Sequence, residues 1–265
     1  MIRGVLAAAL SPLRDGGTAI DPDAVAGYVD YLHAGGVDGV FALGSTGEGI
    51  LLEAGERREL AAAFREATAG RLALAVHVGA VSTAQTAALA EHAASIDADA
   101  VAAVAPPYYT YTEDGLVEHF AAAAAACAPV PFYVYELAAR SGYAIPVAVV
   151  ERLRDRAPNL AGLKVSDRPF SAVRPYLLPG LNVFVGFEPL LPEALAAGCA
   201  GAVSGLAGVY PEAVVELARS PSAAGATAID ELRATVEPIP TRGKAELARR
   251  GLMRPDVRLP LLPAA

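Results

Sequence analysis

The sequence has little of what several classes of binding protein need. It contains no extended block of basic residues, and its 21 Lys and Arg against 29 Asp and Glu give a formal net charge of −8. A chain with this charge balance does not neutralise a phosphate backbone, so we expect no nucleic-acid partner. Its longest apolar stretches, such as residues 121–130, are shorter than the ~18 apolar residues that a membrane-spanning helix requires. We therefore expect no membrane partner either.

Cysteine and metal-ligand patterns are equally scarce. The two cysteines, Cys127 and Cys199, lie too far apart for a CxxC motif or a metal knuckle, and both have apolar, Ala- and Gly-rich neighbours typical of buried thiols. This usage predicts a reducing, cytoplasmic location. The four histidines show no spacing typical of metal ligands, so we expect most of them to be surface or core residues and predict no metal.

What the sequence does have is a regular alternation of segments. With 265 residues, 54% of them hydrophobic, the chain can bury a large core. Short Val-, Leu- and Ala-rich runs bounded by Gly or Pro alternate with longer stretches of helical character, which predicts eight strands that are each followed by a helix. The expected strands cover residues 4–10, 39–43, 72–78, 100–104, 131–135, 160–165, 182–186 and 201–204.

This α/β alternation predicts a (β/α)8 TIM barrel with a short C-terminal helical appendage. An open sheet fits less well, because no Gly-x-Gly-x-x-Gly turn follows the first strand and the units keep repeating. We predict that residues 1–220 form the barrel and residues 221–265 the appendage. Within the appendage, helical stretches at 224–236 and 244–250 are separated by an expected break at Pro238-Ile239-Pro240.

Barrel enzymes hold their active sites at the carboxyl ends of the strands, and few polar residues follow the predicted strands here. They are Gly44-Ser45-Thr46-Gly47-Glu48 after the second strand, Pro106-Pro107-Tyr108-Tyr109 after the fourth, Tyr135-Glu136 and then Arg140 after the fifth, Lys164 on the sixth, Gly186 after the seventh, and Ser204-Gly205-Leu206-Ala207-Gly208 after the eighth.

Lys164 is the most informative of these residues, because it interrupts an apolar strand. In a pocket of low polarity a lysine amine loses its proton readily and attacks a carbonyl carbon to form a Schiff base. The alternative is a lysine that extends out of the barrel or pairs with a carboxylate.

The neighbouring polar residues are open to two interpretations as well. Tyr135 is either a proton donor and acceptor beside that amine or a strand-end aromatic residue. Ser45 and Thr46 either bind a substrate carboxylate or belong to a simple tight turn. The loop at residues 204–208 is either a phosphate site or a packed turn.

Together these motifs resemble the pyruvate-dependent class I aldolases of the dihydrodipicolinate synthase and N-acetylneuraminate lyase family over nearly the whole chain. The matching segments are Gly44-Ser45-Thr46-Gly47-Glu48 for the family's Gly-Thr/Ser-Thr-Gly-Glu turn, Pro107-Tyr108-Tyr109 for its Pro-Tyr-Tyr, Val134-Tyr135 with Arg140-Ser141-Gly142 for the stretch that holds the catalytic tyrosine, and Gly162-Leu163-Lys164 for the Schiff-base lysine strand.

The resemblance implies the roles of four catalytic residues. Lys164 would form the imine with pyruvate, and Tyr135 would shuttle protons. Ser45 would connect Tyr135 to Tyr109, which in this family reaches in from a neighbouring subunit. A homodimer or homotetramer is therefore implied.

The resemblance also implies how the substrates bind. Thr46 would hold the pyruvate carboxylate together with Ser45, while the backbone at Val203 and the small Gly186 would line the pocket. Arg140 matches an arginine with which the synthase branch binds the carboxylate of aspartate semialdehyde, although a surface arginine is the alternative.

The implied function is a cofactor-free, 4-hydroxy-tetrahydrodipicolinate synthase-like condensation of pyruvate with a small aldehyde. A 2-keto-3-deoxy sugar acid aldolase or N-acetylneuraminate lyase-like activity is one alternative, and a phosphate-binding barrel isomerase or aldolase is another. A barrel that binds keto acids without turnover is an alternative of a different class.

Three departures from the family pattern bear on substrate and assembly. Glu136 replaces a neutral residue, and we expect its charge to enter the site and to favour a less anionic, polyhydroxylated acceptor. Residues 165–168, Val-Ser-Asp-Arg, replace the family's usual Glu-Ala/Ser-Ser/Thr-Gly after the lysine. The C-terminal helical tail is shorter than usual, which argues against a full tetramer.

Overall fold

Within residues 2–264, the part of the chain that the computed structural model describes, eight parallel strands close into one barrel. Each strand pairs with the next, and the first also pairs with the last. The predicted barrel is confirmed, and its strands end within one or two residues of the expected positions. They are β1 Gly4–Ala8, β2 Gly39–Ala42, β3 Ala73–His77, β4 Ala100–Val104, β5 Phe132–Glu136, β6 Leu160–Val165, β7 Asn182–Val185 and β8 Gly201–Ser204.

Helices cover the outside of the barrel, so each strand is buried on both faces and reads as an almost continuous apolar run. The lumen is filled by a separate cluster of aliphatic and aromatic side chains that includes Leu6, Phe41, Ala102 and Phe184. The helices are α1 Ala24–Ala34, α2 Ala54–Thr68, α3 Thr83–Ser95, α4 Glu113–Cys127, α5 Ala138–Ser141, α6 Val147–Arg156, α7 Phe170–Val173, α8 Leu191–Ala196, α9 Pro211–Arg219, α10 Ala223–Val236 and α11 Ile239–Arg249.

Two helices differ from the expected ones at prolines. The helix expected to follow β6 is split into α7 and a short 3₁₀ turn at Arg174–Tyr176, because Pro175 cannot continue an α-helical hydrogen-bond ladder. Conversely, α11 begins at Ile239, within the expected break. Pro240 lies in its first turn, where the missing N–H has no intrahelical partner in any case.

A short antiparallel ribbon of Leu13–Arg14 and Ala19–Ile20 follows β1. Helices α10 and α11 follow the barrel, and Lys244 and Leu247 of α11 are fully buried. Among residues 2–264, no helix is long and apolar enough to cross a membrane.

Candidate active site

A cavity of about 590 Å³, here called the strand-end cavity, opens at the carboxyl ends of the barrel strands. This is the end at which barrel enzymes hold their active sites, and the volume accommodates a small-molecule substrate. Seven of the eight residues that the sequence singled out line the cavity, and Tyr109 does not. The seven are Ser45, Thr46, Tyr135, Arg140, Lys164, Gly186 and Val203.

Lys164 lies at the base of the strand-end cavity. Its side chain is buried, and its Nζ lies 4.4 Å from the ring centroid of Phe41 and 4.0 Å from that of Tyr135. Aromatic faces attract an ammonium group while they shield it from water. No carboxylate of residues 2–264 forms an ion pair with Lys164. The amine is therefore neither solvent-exposed nor neutralised by an acid.

Tyr135 lies directly beside this amine, since it pairs with Lys164 in the register of β5 and β6. Its hydroxyl forms hydrogen bonds with Ser166, Ser45 and Lys164. Burial alone raises the pKa of Tyr135, but the positive charge of Lys164 and these hydrogen bonds outweigh burial and lower the pKa below its ordinary value of 10.0. A phenol with a lowered pKa exchanges a proton with a neighbouring amine more readily.

Gly186 makes the contact between Ser166 and Tyr135 possible. A Cβ atom at position 186 would lie only 1.8 Å from the Ser166 Oγ and 2.7 Å from its Cβ. Any larger residue would therefore displace the serine that hydrogen-bonds the tyrosine. Ser166 was not among the residues predicted for the site, although it follows β6 two positions after Lys164.

The turn at residues 44–48 places Ser45 and Thr46 at the cavity. A Cβ at Gly47 would lie 2.7 Å from the carbonyl oxygen of Ala9, so only glycine permits this close packing. The turn ends at Glu48, whose backbone is left-handed with φ +57° and whose side chain is buried.

Glu48 connects the turn to the C-terminal segment. Its Oε1 lies 2.5 Å from Nζ of Lys244 in α11, and its Oε2 accepts a hydrogen bond from the backbone N–H of Arg258 at 2.7 Å. Both side chains of the ion pair are completely buried. The C-terminal segment therefore holds the turn that carries two predicted substrate-binding residues.

His77, at the end of β3, is a neutral core residue that contacts Tyr135 and the backbone just before the turn at residues 44–48. Burial and, after it, the positive charges of Arg57 and Lys164 together lower the pKa of His77 to about 3. Its Nε2 accepts a hydrogen bond from the backbone N–H of Val104, so the proton lies on Nδ1, which donates to the carbonyl of Leu43 at 3.1 Å. The ring also packs edge-on against Tyr135.

The expectation that Glu136 adds a negative charge to the site is wrong. Side chains alternate along a strand, so Tyr135 faces the lumen and Glu136 faces the surrounding helices. There Glu136 is fully buried, accepts a hydrogen bond from the backbone N–H of Ile145 at 2.8 Å and forms another with Asp167. Burial and then the neighbouring Asp167 raise its pKa to about 8, so Glu136 carries a proton at neutral pH.

The loop after β8 is a packed turn and not an open phosphate site. Ser204 Oγ donates to the buried carboxylate of Glu188 at 2.6 Å, and the backbone N–H of Leu206 donates to the same carboxylate oxygen at 3.0 Å. The backbone N–H of Ala207 is bound by Ser204 Oγ. These donors are therefore occupied by the protein itself.

Tyr109 lies outside the strand-end cavity of its own chain. Its side chain is 65% exposed and packs edge-on against Tyr108 and Tyr111.

Arg140, in contrast, lies in α5 on the rim of the cavity and forms no ion pair within residues 2–264. Within the same range, no cluster of His, Cys, Asp and Glu is suited to hold a metal ion.

A closed (β/α)8 barrel that places a buried lysine beside a hydrogen-bonded tyrosine at its strand ends has the groups that covalent chemistry on a carbonyl substrate requires. The comparison with known sequences identifies the family. Residues 1–265 match the dihydrodipicolinate synthetase family, and the chain belongs to that family. It is accordingly an enzyme of a group of pyruvate-dependent lyases, as the motifs predicted.

Relatives within this family carry different names. The chain is 36% identical to an uncharacterized DapA-like lyase of Halobacterium salinarum over 93% of its own length and 84% of the relative's. It is 31% identical to a 4-hydroxy-tetrahydrodipicolinate synthase of an Exiguobacterium species, over 99% and 93% of the two chains. The solved structure of Proteus mirabilis N-acetylneuraminate lyase superposes with a TM-score of 0.89 at 28% identity, over 100% and 94% of the two chains.

Proposed function

We propose that this enzyme forms an imine between Lys164 and pyruvate and condenses the resulting enamine with a small aldehyde, or catalyses the reverse cleavage. The observation that carries this proposal is the position of the Lys164 amine. It is buried between two aromatic rings at the base of the strand-end cavity, without a carboxylate partner, and hydrogen-bonded to Tyr135. A lysine in this environment is a nucleophile toward a carbonyl carbon.

The surrounding residues support a complete reaction sequence. Ser45 and Thr46 would bind the pyruvate carboxylate, and Val203 and Gly186 would line the space for its methyl group. Tyr135 would take the proton from the Lys164 ammonium, after which the free amine attacks the keto carbon. The carbonyl oxygen leaves as water, the imine loses a methyl proton to give the enamine, and the enamine carbon bonds to the aldehyde carbon.

For the second substrate we propose a synthase-like acceptor that carries a negative charge. Arg140 lies on the cavity rim without an acidic partner, and a guanidinium binds a carboxylate through two parallel hydrogen bonds. Glu136 does not oppose such an acceptor, because its side chain faces away from the cavity and carries a proton. The activity therefore resembles that of a 4-hydroxy-tetrahydrodipicolinate synthase more than that of a sugar-acid lyase.

We also propose that Tyr109 completes the site of a second subunit in a homodimer or homotetramer. Its exposure, together with that of Tyr108, supports this assembly. The two cysteines are buried and unpaired, which supports a reducing, cytoplasmic location.

The test is trapping of the imine. The protein is incubated with pyruvate, reduced with borohydride and analysed by intact and peptide mass spectrometry, with Lys164→Ala in parallel. The proposal requires a pyruvyl adduct on the Lys164 peptide that the variant lacks. If no adduct forms, the imine mechanism is wrong. If an adduct forms but no aldehyde from a panel of acidic and polyhydroxylated acceptors reacts, the protein is a keto-acid-binding barrel and not an aldolase.

A further inference from the structure

The strand-end cavity carries more positive than negative side chains, although the whole chain has a net charge of −8. The charged residues that line it are Arg140, Lys164, Arg168, Arg233, Asp230 and Glu237. Arg233 is already neutralised, because its guanidinium binds the buried Glu188 at 2.7 Å and also contacts Glu237. With Lys164 assigned to the imine, Arg140, Arg168 and Asp230 remain, and neither arginine has a carboxylate within 4.0 Å in residues 2–264.

The second of these arginines, Arg168, is held in place by an aromatic ring. Its guanidinium carbon lies 4.7 Å from the ring centroid of Phe187, and Arg233 lies over the same ring at 5.5 Å. Stacking on an aromatic face leaves the N–H groups at the edge of the guanidinium available as a planar set of donors. In the described part of the chain, none of these donors is used by a protein acceptor. The Phe187 ring therefore orients Arg168 at the cavity wall, and within residues 2–264 its guanidinium has neither an acidic partner nor a hydrogen-bond acceptor.

We propose that Arg168 is a second anion-binding residue of the acceptor subsite. Together with Arg140 it would hold a doubly charged oxyanion group on the acceptor, either a phosphate monoester or a pair of carboxylates. This inference rests on the proposed function, because the acceptor is defined as the molecule that meets the pyruvate enamine on Lys164. A phosphate monoester or a pair of carboxylates presents enough oxygen atoms to accept hydrogen bonds from both guanidinium groups, whereas a monocarboxylate can engage one of them in a bidentate contact.

Arg174 provides a matched control for substitutions at Arg168. It is also an arginine over a phenylalanine ring, 5.6 Å from the centroid of Phe170, and lies in the next turn of the same segment. Unlike Arg168, it has an acidic partner, Glu193, at 3.5 Å and does not line the cavity. Arg168→Gln and Arg174→Gln therefore remove the same charge and a comparable ring contact, but only the first removes a cavity donor.

Binding is measured first, by calorimetry with glycerol 3-phosphate, malonate and acetate. Glycerol 3-phosphate tests a phosphate monoester, malonate tests paired carboxylates, and acetate tests a single carboxylate. We expect one of the two dianions to bind at least about tenfold more tightly than acetate, and Arg168→Gln to abolish this preference. Arg168→Lys, which keeps the charge but loses the planar donors, should retain part of it, and Arg174→Gln should leave it unchanged.

Kinetics then test the reaction itself with D-glyceraldehyde and D-glyceraldehyde 3-phosphate as acceptors, which differ only in the phosphate. If the phosphate monoester is the bound group, Arg168→Gln raises KM for the phosphorylated acceptor about tenfold while KM for the neutral one changes less than about twofold. Equal binding of all three anions to the native protein, or equal effects of the Arg168 and Arg174 substitutions, would overturn the proposal.

The two proposals fail in different ways. Borohydride trapping of pyruvate on Lys164 reports the imine and needs no acceptor. A wild-type protein that forms no adduct contradicts the proposed function, while the calorimetric comparison still decides whether Arg168 binds a dianion. If Arg168→Gln forms a normal adduct and its anion binding is unchanged, only the role proposed for Arg168 is contradicted, and the proposed function still holds.

Discussion

Replacing Glu136 by Gln should make the protein more stable at pH 8 and should flatten the dependence of its stability on pH. Glu136 is fully buried beside Asp167, and its pKa is raised from 4.5 to about 8, mainly by burial. Between these two pH values the folded chain keeps a proton that the unfolded chain releases. Unfolding therefore becomes easier as the pH rises from 4.5 to 8, by up to about 1.4 kcal/mol per pH unit from this group.

Glutamine resembles the protonated form of Glu136 in shape but does not ionise. Its side-chain oxygen can still accept the hydrogen bond that the backbone N–H of Ile145 now donates to the Glu136 Oε2. We therefore expect Glu136→Gln to match the native protein near pH 4.5 and to exceed its free energy of unfolding by about 4 kcal/mol near pH 8. Tyr143 and Tyr176 also lie near this carboxyl group, but burial raises the pKa of each, so they stay neutral across this range.

The assay is urea unfolding at intervals from pH 4.5 to 9, followed by circular dichroism. Glu118→Gln serves as the control, because Glu118 is an exposed glutamate whose pKa is lowered by hydrogen bonds from Arg156. This control should leave the slope between pH 5 and 8 unchanged. Parallel stability curves for the native protein and Glu136→Gln would show that Glu136 is ionised when buried, and the reasoning would be refuted.

Three further substitutions test how the site is built. Lys244→Met leaves the buried Glu48 without its counter-charge and should lower the free energy of unfolding by about 3–5 kcal/mol in urea titrations, while the double variant with Glu48→Gln should recover part of the loss. Tyr135→Phe keeps the ring beside Lys164 but removes the hydroxyl, so the rate of adduct formation in borohydride-quenched time courses should fall about 10²-fold or more. Mixing inactive Tyr109→Ala and Lys164→Ala subunits should restore about a quarter of native activity if Tyr109 serves a partner's site in a dimer, and none if it does not.

The barrel was predictable because its signals are local. Each strand is a short apolar run bounded by Gly or Pro, and each helix follows at a regular interval, so periodicity alone gives the order of elements. The polar residues after the strands were predictable for a related reason, since parallel strands in a closed barrel bring their carboxyl ends together. This explains why residues from position 45 to position 203 line one cavity.

The contacts that hold the site together were not predictable in the same way. Glu48 and Lys244 belong to segments at opposite ends of the chain, and no spacing pattern connects them. The same holds for His77, whose partners are Leu43, directly after β2, and Val104 at the end of β4. Glu136 is different, because the alternation of side chains along β5 already implies that it faces away from Tyr135. Its position in the motif after Tyr135 indicates a charge in the site, whereas the geometry of the strand places its side chain on the outer face of the barrel.

Three buried glutamates hold the loops that carry the predicted site residues. Glu48 binds α11 and the backbone at Arg258, and so holds the turn of Ser45 and Thr46. Glu136 accepts a hydrogen bond from the backbone N–H of Ile145. This bond fixes the far end of the segment that follows Arg140 in α5. Glu188 binds Arg233 and the turn after β8, next to Val203. Catalytic groups must be held within a fraction of an ångström to react efficiently, and here that constraint comes from acids outside the cavity. A substitution that removes these hydrogen bonds, such as alanine at any of the three positions, should therefore lower kcat even though none of the three contacts the substrate.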